Sequence, residues 1–416
     1  PTGLLYIATV LKQKGYDVSL LDCSVEPNYR DILDKMAKDI DVLGVYAMSV
    51  HIKYLLPEIK RLKKVNDRVK VIWGGPHATL FPEQTAQSPF VDVAVRGEGE
   101  EVMLEILQGC EKGNLNLHNI KGISFKDGDR IVTTKDRAFI DMDSLPFIDW
   151  SFLKKEVMDV VKKAIIRVQT SRGCPYKCAF CINVVSKNKK MRYRSSGNVL
   201  DEIEYLYREY GANRVGFRDE VFISNRKQVK EIAQGLLERG IKITWLANPR
   251  VEYLRESYID DDYLKLLVDS GCTKLSAGAE SGSQRILDLL RKQITVEDIL
   301  NFARRTKKFN ITPVLAFMTG IPTETQQEQL QTLKLIRDIL KIHPKAFING
   351  PANYRPYPGG ELYDMCIKKY NLRMPDSLEV WSKAEILGGT NPPWIKRPYF
   401  NQYLWSVIRP ATYPKW

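Results

Sequence analysis

The sequence lacks the features that would place it in several special classes of protein. No stretch approaches the roughly 18 uninterrupted apolar residues of a membrane-spanning helix, and no basic segment leads into an apolar stretch at the N-terminus, so no signal peptide is predicted. The seven cysteines are an odd number, and four of them are isolated. A disulfide framework is therefore not expected, and a reducing, cytoplasmic setting is favoured.

The composition is that of an ordinary globular protein. Of the 416 residues, 44% are hydrophobic and 27% are charged, which excludes a fibrous or largely disordered chain. This length accommodates two or three domains of roughly 150 residues each. Because the chain starts at Pro1 rather than at a methionine and opens directly into a helical pattern, we expect a fragment whose first strand is missing.

The net charge is +13, from 63 basic and 50 acidic residues. A solvated basic surface accounts for an excess of this size, and an anionic partner, either a phosphate-bearing cofactor or a nucleic acid, is the alternative. One basic cluster stands out, formed by Lys187, Lys189, Lys190, Arg192 and Arg194. It lacks the regular aromatic residues of a single-strand-binding surface, so a nucleic-acid partner is not expected.

The N-terminal part of the chain alternates short apolar runs with amphipathic stretches, which predicts a doubly wound, Rossmann-like α/β domain over residues 1–135. The predicted strands are Asp17–Asp22, Val42–Ala47, Val69–Trp73 and Val91–Val95, followed by a β-hairpin over residues 120–134. Glycine turns follow these strands, at the edge where such sheets bind ligands. Residues 136–162 are expected to be a linker.

A second alternating series predicts a partial (β/α)6 barrel of the TIM type over residues 163–365. Its predicted strands are Ala164–Thr170, Arg214–Arg218, Ile241–Ala247, Thr273–Ala279, Thr312–Met318 and Ala346–Tyr354. The active residues of such a barrel follow its strands. A short C-terminal extension, residues 366–416, is rich in proline, tryptophan and tyrosine. An aromatic packing lid is favoured there over a pocket for a large flat or lipid-like substrate.

Three cysteines, Cys174, Cys178 and Cys181, crowd into a short loop with glycine and proline, after the first strand of this barrel. Thiolates are soft ligands that suit zinc or iron–sulfur clusters. A structural zinc site needs four ligands, and no further cysteine or histidine lies nearby. Three ligands therefore indicate a cubane cluster with one open iron. Zinc with a distant fourth ligand, and three packed cysteines without metal, are the alternatives.

This C-x3-C-x2-C loop, with the aromatic Phe180 before its last cysteine, resembles the radical S-adenosylmethionine (SAM) superfamily. The resemblance implies a [4Fe–4S] cluster held by Cys174, Cys178 and Cys181. It also implies that SAM chelates the open iron and is cleaved to methionine and a 5′-deoxyadenosyl radical. An electron donor such as flavodoxin or ferredoxin is then expected as a partner.

The same resemblance implies SAM contacts at the barrel strand ends, each with a structural alternative. Asp219 or Glu220 would receive the ammonium group, unless they are an exposed carboxylate pair. Glu280 would accept the ribose hydroxyls, unless it stabilises a helix N-terminus. The remaining expected contacts are Phe180, Arg194, Ser276, Ser281, Gly320 and Ile321. For Arg194 a solvated basic loop is the alternative, and for Gly320 and Ile321 an ordinary turn.

The N-terminal domain resembles the cobalamin (B12)-binding domain of one branch of that superfamily, through its Gly74-Gly75-Pro-His77 and Arg96-Gly97-Glu98 stretches. Glycines at strand ends let a wide macrocycle approach the backbone. We expect Ser49, Gly74, Gly75, His77, Gly97 and Glu98 to contact cobalamin. No D-x-H-x-x-G motif occurs, so no histidine of that kind is expected on cobalt. A domain that has lost its ligand, with His77 as a turn residue, is the alternative.

The resemblance implies an enzyme, most of all a methyltransferase that uses methylcobalamin to methylate an unactivated carbon. Oxidative cyclisation or ring rearrangement, as in the similar anaerobic magnesium-protoporphyrin monomethyl ester cyclases, is the alternative within the same architecture. A small-molecule, lipid-like or tetrapyrrole-like substrate follows from either. A methylthiotransferase is disfavoured because it needs three further N-terminal cysteines and only Cys23 and Cys110 are present. A cobalamin and iron–sulfur sensor without turnover is the non-enzymatic alternative.

Overall fold

The computed structural model describes residues 2–154, 158–159, 165–184, 190–383 and 393–395. The chain divides into two compact units. The first unit comprises the residues up to Met158 and a later segment that starts at Arg373, and the second unit runs from Asp159 to Leu372 and includes residues 393–395. The domain limits expected at residues 135, 162 and 365 stay predictions.

The first unit contains a five-stranded sheet with the strands in sequential order. Its strands are β1 (Val42–Tyr46), β2 (Lys70–Gly74), β3 (Val93–Val95), β4 (Ile123–Asp127) and β5 (Arg130–Thr133). The first three strands are parallel, and β4 and β5 form the predicted antiparallel hairpin. The helices are α1 (Thr2–Gln13), α2 (Tyr29–Ala37), α3 (Ile52–Val65), α4 (Pro76–Leu80), α5 (Pro82–Gln87) and α6 (Glu100–Glu111).

The strand expected over Asp17–Asp22 is wrong. These residues carry no ladder hydrogen bonds to any strand of the described sheet. Val18 packs with Tyr16 against one of the apolar clusters of the unit. Alternating polarity indicates one buried face, and here packing alone buries that face, without a partner strand.

Two apolar clusters occupy opposite faces of the first sheet, as the alternation of side chains along a strand requires. Trp73 of β2 belongs to one cluster and its neighbour Ile72 to the other, and both are buried. The cluster around Trp73 also contains Leu378 and Trp381 of the late helix α14 (Leu378–Lys383). The core of the first unit is therefore completed by residues from the far end of the chain.

The second unit confirms the predicted partial barrel: six strands in sequential order, every neighbouring pair parallel. They are β6 (Ile166–Val168), β9 (Arg214–Phe217), β10 (Thr244–Ala247), β11 (Cys272–Glu280), β12 (Thr312–Thr319) and β13 (Phe347–Asn353). A separate antiparallel pair is formed by β7 (Ser171–Arg172) and β8 (Arg192–Tyr193). In the described part of the chain, no helix has the length and apolar character needed to cross a membrane.

Helices connect these strands, and side-chain caps fix where several of them begin. Their ranges are α7 (Ser196–Tyr210), α8 (Arg226–Glu238), α9 (Asp261–Asp269), α10 (Gln284–Leu289), α11 (Val296–Lys308), α12 (Gln326–Ile342) and α13 (Glu361–Tyr370). Ser195 caps α7, and Thr325 caps α12 in a reciprocal capping box with Glu328. Where such a cap is present, the strand-to-helix loop ends at a defined residue.

Candidate functional site

The three clustered cysteines lie on the loop that leaves β7. Gly173 opens the loop with a φ of 103°, a conformation that favours glycine. Cys178 is buried, whereas Cys174 and Cys181 are partly exposed. The loop is anchored to the barrel because the Ala179 amide donates to the Leu290 carbonyl at 2.9 Å.

The three thiols influence one another electrostatically. Burial raises the pKa of Cys181 to about 11, and the nearby Cys178 and Cys174 add to this rise. Burial likewise raises the pKa of Cys174, again with a contribution from Cys178. Among the described residues, no three cysteine, histidine or carboxylate side chains already lie at metal-binding distances. The assignment of the ligands therefore rests on the donor type, the spacing and the mutual effect of the thiols, whose ionisation a cationic metal centre would favour.

Arg250, which follows β10, directs its guanidinium at the cysteine loop. Nη1 donates to the Cys178 sulfur at 3.7 Å, and the guanidinium carbon lies 3.7 Å from the centre of the Tyr176 ring. Two further contacts hold the side chain, to the Glu252 carboxylate and to the Lys292 carbonyl. The sequence did not single out Arg250, although its position just after a barrel strand is the expected place for a functional residue.

A buried ion pair lies at the end of β11. Lys292 donates to Glu280 at 2.8 Å, and both side chains are almost fully buried. Burial by itself lowers the pKa of Lys292, but the charges of Glu280 and Cys178 outweigh it and the pKa is raised. Gly278 makes room for the pair, because a Cβ there would lie 2.7 Å from the Lys292 ammonium. Glu280, a predicted SAM contact, is thus paired with a cation that sequence reasoning missed.

Asp219 and Glu220 follow β9 and have different environments. Asp219 is buried and accepts hydrogen bonds from the Thr170 amide and the Ser171 hydroxyl, both at 2.8 Å. Burial raises its pKa, although these bonds oppose the rise. Glu220 is exposed, yet desolvation by the groups around it, followed by the charge of Asp219, raises its pKa. Asp219 therefore fixes the segment that leads into the cysteine loop, and Glu220 is the carboxylate at the surface.

Of three other predicted SAM contacts, two have structural partners. Arg194 is buried and forms an ion pair with Glu202 of α7, so the alternative of a solvated basic loop is wrong at this position. The Ser281 hydroxyl lies 3.3 Å from that of Thr332. Ser276 is half-buried within β11, rather than at its end. Lys187 and Lys189 of the basic cluster lie outside the described residues.

Gly320 and Ile321 form the turn after β12. Gly320 has a φ of 67°, and its amide donates to Glu324 at 2.7 Å. Ile321 is buried in an apolar cluster that also contacts Phe180 of the cysteine loop. The structure therefore brings the turn and the cysteine loop together. Glu324 stabilises the turn by accepting this hydrogen bond. The sequence alone did not indicate this role.

Ser49 and His77 meet at the carboxyl edge of the first sheet. The Ser49 hydroxyl lies 2.9 Å from Nδ1 of His77. The imidazole is buried against the Phe81 and Trp381 rings, whose centres lie 5.1 and 5.3 Å away. Burial lowers the pKa of His77 to about 3, so the ring is neutral at physiological pH. Nε2 has no hydrogen-bond partner among the described residues.

The predicted glycines of the first unit lie at the same edge. Gly75 follows Gly74, the last residue of β2, with a φ of 91°, and a Cβ there would meet the Tyr46 ring at 2.9 Å. Gly97 has a φ of 76°, with no described atom within 4 Å of where its Cβ would be. Glu98 instead accepts from the Ile140 amide at 3.1 Å. Its described bond is therefore to the segment that follows the sheet.

Comparison with known protein families assigns both units. The model of the radical SAM superfamily matches residues 168–336, and the model of the B12 binding domain matches residues 1–107. An uncharacterized methyltransferase of Pyrococcus horikoshii is 31% identical over 371 residues, which cover 88% of this chain and 78% of that protein. An anaerobic magnesium-protoporphyrin IX monomethyl ester cyclase of Cereibacter sphaeroides is 29% identical over 349 residues, 81% of this chain and 56% of that protein.

Two solved structures share the fold of the chain. The radical SAM methyltransferase TsrM from Kitasatospora setae, with cobalamin and a [4Fe–4S] cluster bound, has a TM-score of 0.73 and 16% identity over 88% of this chain and 72% of that one. The cobalamin-dependent radical enzyme OxsB, with aqua-cobalamin bound, has a TM-score of 0.70 and 18% identity over 89% of this chain and 53% of that one. The expected order, a B12-binding domain before a radical SAM domain, is confirmed.

Proposed function

This chain belongs to the radical SAM superfamily, in the branch whose members carry a B12-binding domain, and from that membership we propose that it methylates an unactivated carbon of a small-molecule substrate. The observation that carries the proposal is that one chain contains both the cysteine loop and, in its other unit, the Ser49–His77 edge of the first sheet. Similarity to the Pyrococcus methyltransferase supports the same reaction class.

The residues of the second unit suit a [4Fe–4S] cluster and SAM. Cys174, Cys178 and Cys181 are soft donors of the right number to leave one iron open. When bound, the reduced cluster supplies the electron that cleaves SAM to methionine and a 5′-deoxyadenosyl radical. We assign the SAM ammonium to Glu220, because Asp219 already accepts bonds from the segment before the loop. The Lys292–Glu280 pair offers a cation and a carboxylate to the remaining polar groups of SAM.

The first unit suits cobalamin. Gly97 leaves the backbone uncovered at the sheet edge, so that a wide ligand can approach it, whereas Gly75 accommodates the Tyr46 ring. Tyr46 ends β1 and Met48 and Val50 follow it, and all three are exposed apolar side chains that a ligand at that edge could cover. His77 is neutral and buried, and we assign it to orienting Ser49 rather than to ligating cobalt.

Oxidative cyclisation is the second candidate reaction, because the Cereibacter cyclase also aligns with 81% of this chain. It would use the same cluster and SAM on a tetrapyrrole-like substrate. Under either reaction, the expected electron donor is a flavodoxin or ferredoxin in a reducing, cytoplasmic setting. The basic excess of the chain would favour docking of an acidic donor.

The test is anaerobic reconstitution of the full chain with iron, sulfide and hydroxocobalamin, followed by dithionite and SAM. Methyl transfer predicts 5′-deoxyadenosine and, only when cobalamin is present, S-adenosylhomocysteine. Cyclisation predicts 5′-deoxyadenosine alone. The Cys174→Ala variant should lose iron and both products, whereas Cys272→Ala, which removes a buried thiol of β11, should keep them. A wild-type chain that takes up no iron would contradict the proposal.

A further inference from the structure

Arg250 is built to hold a positive charge at one sulfur of the cysteine loop. Its side chain is buried, and the guanidinium stacks on Tyr176 at 3.7 Å. The carbonyl of Lys292 and the carboxylate of Glu252 each accept one of its N–H groups. Its remaining contact is with the Cys178 sulfur, at 3.7 Å from Nη1. Four partners thus fix the orientation of one planar cation.

The orientation of this ion pair matters because the Glu252 side chain is only 11% exposed. Its Oε1 accepts from Arg250, and its Oε2 has no hydrogen-bond partner among the described residues. The positive member of the pair contacts the sulfur through Nη1, and the negative member binds the guanidinium at Nε. In surroundings of low dielectric constant, such a pair produces a positive potential at the sulfur that solvent screens only weakly.

Positive charge and N–H donors at a cluster sulfur favour the reduced, more negative state of an iron–sulfur cluster. We propose that Arg250 is a positioning residue that raises the reduction potential of the cluster held by Cys174, Cys178 and Cys181, and that Glu252 sets how far it is raised. This inference rests on the proposed function, since it requires the cluster. Under this inference, a residue outside the cysteine loop controls how readily the cluster is reduced.

The test is a redox titration, followed by electron paramagnetic resonance, of the reconstituted full chain without cobalamin or SAM. Arg250→Gln removes the charge and should shift the reduction equilibrium toward the oxidised cluster at least tenfold, about 59 mV for one electron. Glu252→Gln removes the opposing charge and should shift it the other way. Arg250→Lys should lie between wild type and Arg250→Gln. Arg255→Gln, whose arginine pairs with Asp298 instead, should match wild type.

The opposite signs separate an electrostatic role from a structural one, because a variant that only loosens the loop would change iron content in both cases. Equal potentials for wild type, Arg250→Gln and Glu252→Gln, at full iron content, would overturn the inference and leave the proposed function intact. If Arg250→Gln takes up no iron, Glu252→Gln decides: an upward shift supports the role and an unchanged potential refutes it. Absence of a cluster in wild type would refute the proposed function instead.

Discussion

The buried histidine of the first unit makes its stability depend on pH in a defined window. Burial lowers the pKa of His77 to about 3, whereas an unfolded histidine titrates near 6.5. Below pH about 6.5 the histidine of the unfolded chain binds a proton, whereas the imidazole of the native state stays neutral. Lowering the pH therefore favours unfolding, and this contribution stops growing near pH 3. The change that tests it is His77→Asn, which keeps a polar atom near Nδ1 for Ser49.

The size of the effect follows from the difference between the two pKa values. Each pH unit within the window costs about 1.4 kcal/mol of unfolding free energy. At pH 4.5 the cost is thus about 2.7 kcal/mol relative to a pH well above the window. Other groups of the unit also titrate there, so the informative quantity is the difference between wild type and His77→Asn, as a function of pH.

The assay is hydrogen exchange of β2 amides (Lys70–Gly74), corrected for the intrinsic pH dependence of exchange. We expect His77→Asn to lower the unfolding free energy at neutral pH. Between pH 6.5 and 4.5 the variant should lose about 2.7 kcal/mol less unfolding free energy than wild type. Parallel pH curves for wild type and His77→Asn would refute the reasoning.

Two further predictions concern buried partners. Lys292→Met or Glu280→Gln, each alone, should lower the unfolding free energy of the second unit by about 3–5 kcal/mol, because one member of a buried pair loses its partner. The double variant should lower it by less than the sum of the two single effects. Hydrogen exchange of β11 measures these values, and strict additivity would count against the pairing. Trp381→Ala should destabilise the first unit by about 3–5 kcal/mol, because it empties a core position and removes the 2.6 Å bond from Nε1 to Gln84. Exchange of α5 reports the loss, with Trp394→Ala of the second unit as the matched control.

The sequence was sufficient wherever the signal is local. The cysteine spacing, the six strands of the barrel and the hairpin of the first unit depend on residues close together in the chain. The pairing of Ser49 with His77 was within reach as well, because both follow parallel strands and the carboxyl ends of such strands share one edge. The unpaired segment Asp17–Asp22 misled, since periodicity reports a buried face and not a partner strand.

Contacts between distant segments could not be predicted in this way. Arg250 reaches Cys178 across 72 residues of sequence, and nothing in the local pattern distinguishes it from any other arginine after a strand. Arg194 was expected to contact SAM, and its partner is Glu202, a carboxylate on the buried face of α7. The position of Glu202 among the apolar residues of α7 could have predicted this ion pair from the sequence. A buried carboxylate requires a cation, and Arg194 lies one short segment before it.

The packing of Leu378 and Trp381 into the core of the first unit also constrains the order of events during synthesis. The sheet of that unit is synthesised long before these two residues, because the whole barrel is translated in between. Until then, the nascent unit has an open apolar face around Trp73 that a chaperone or a neighbouring chain can occupy. Final closure of the first unit must therefore wait until the helix that follows the barrel in sequence has been made.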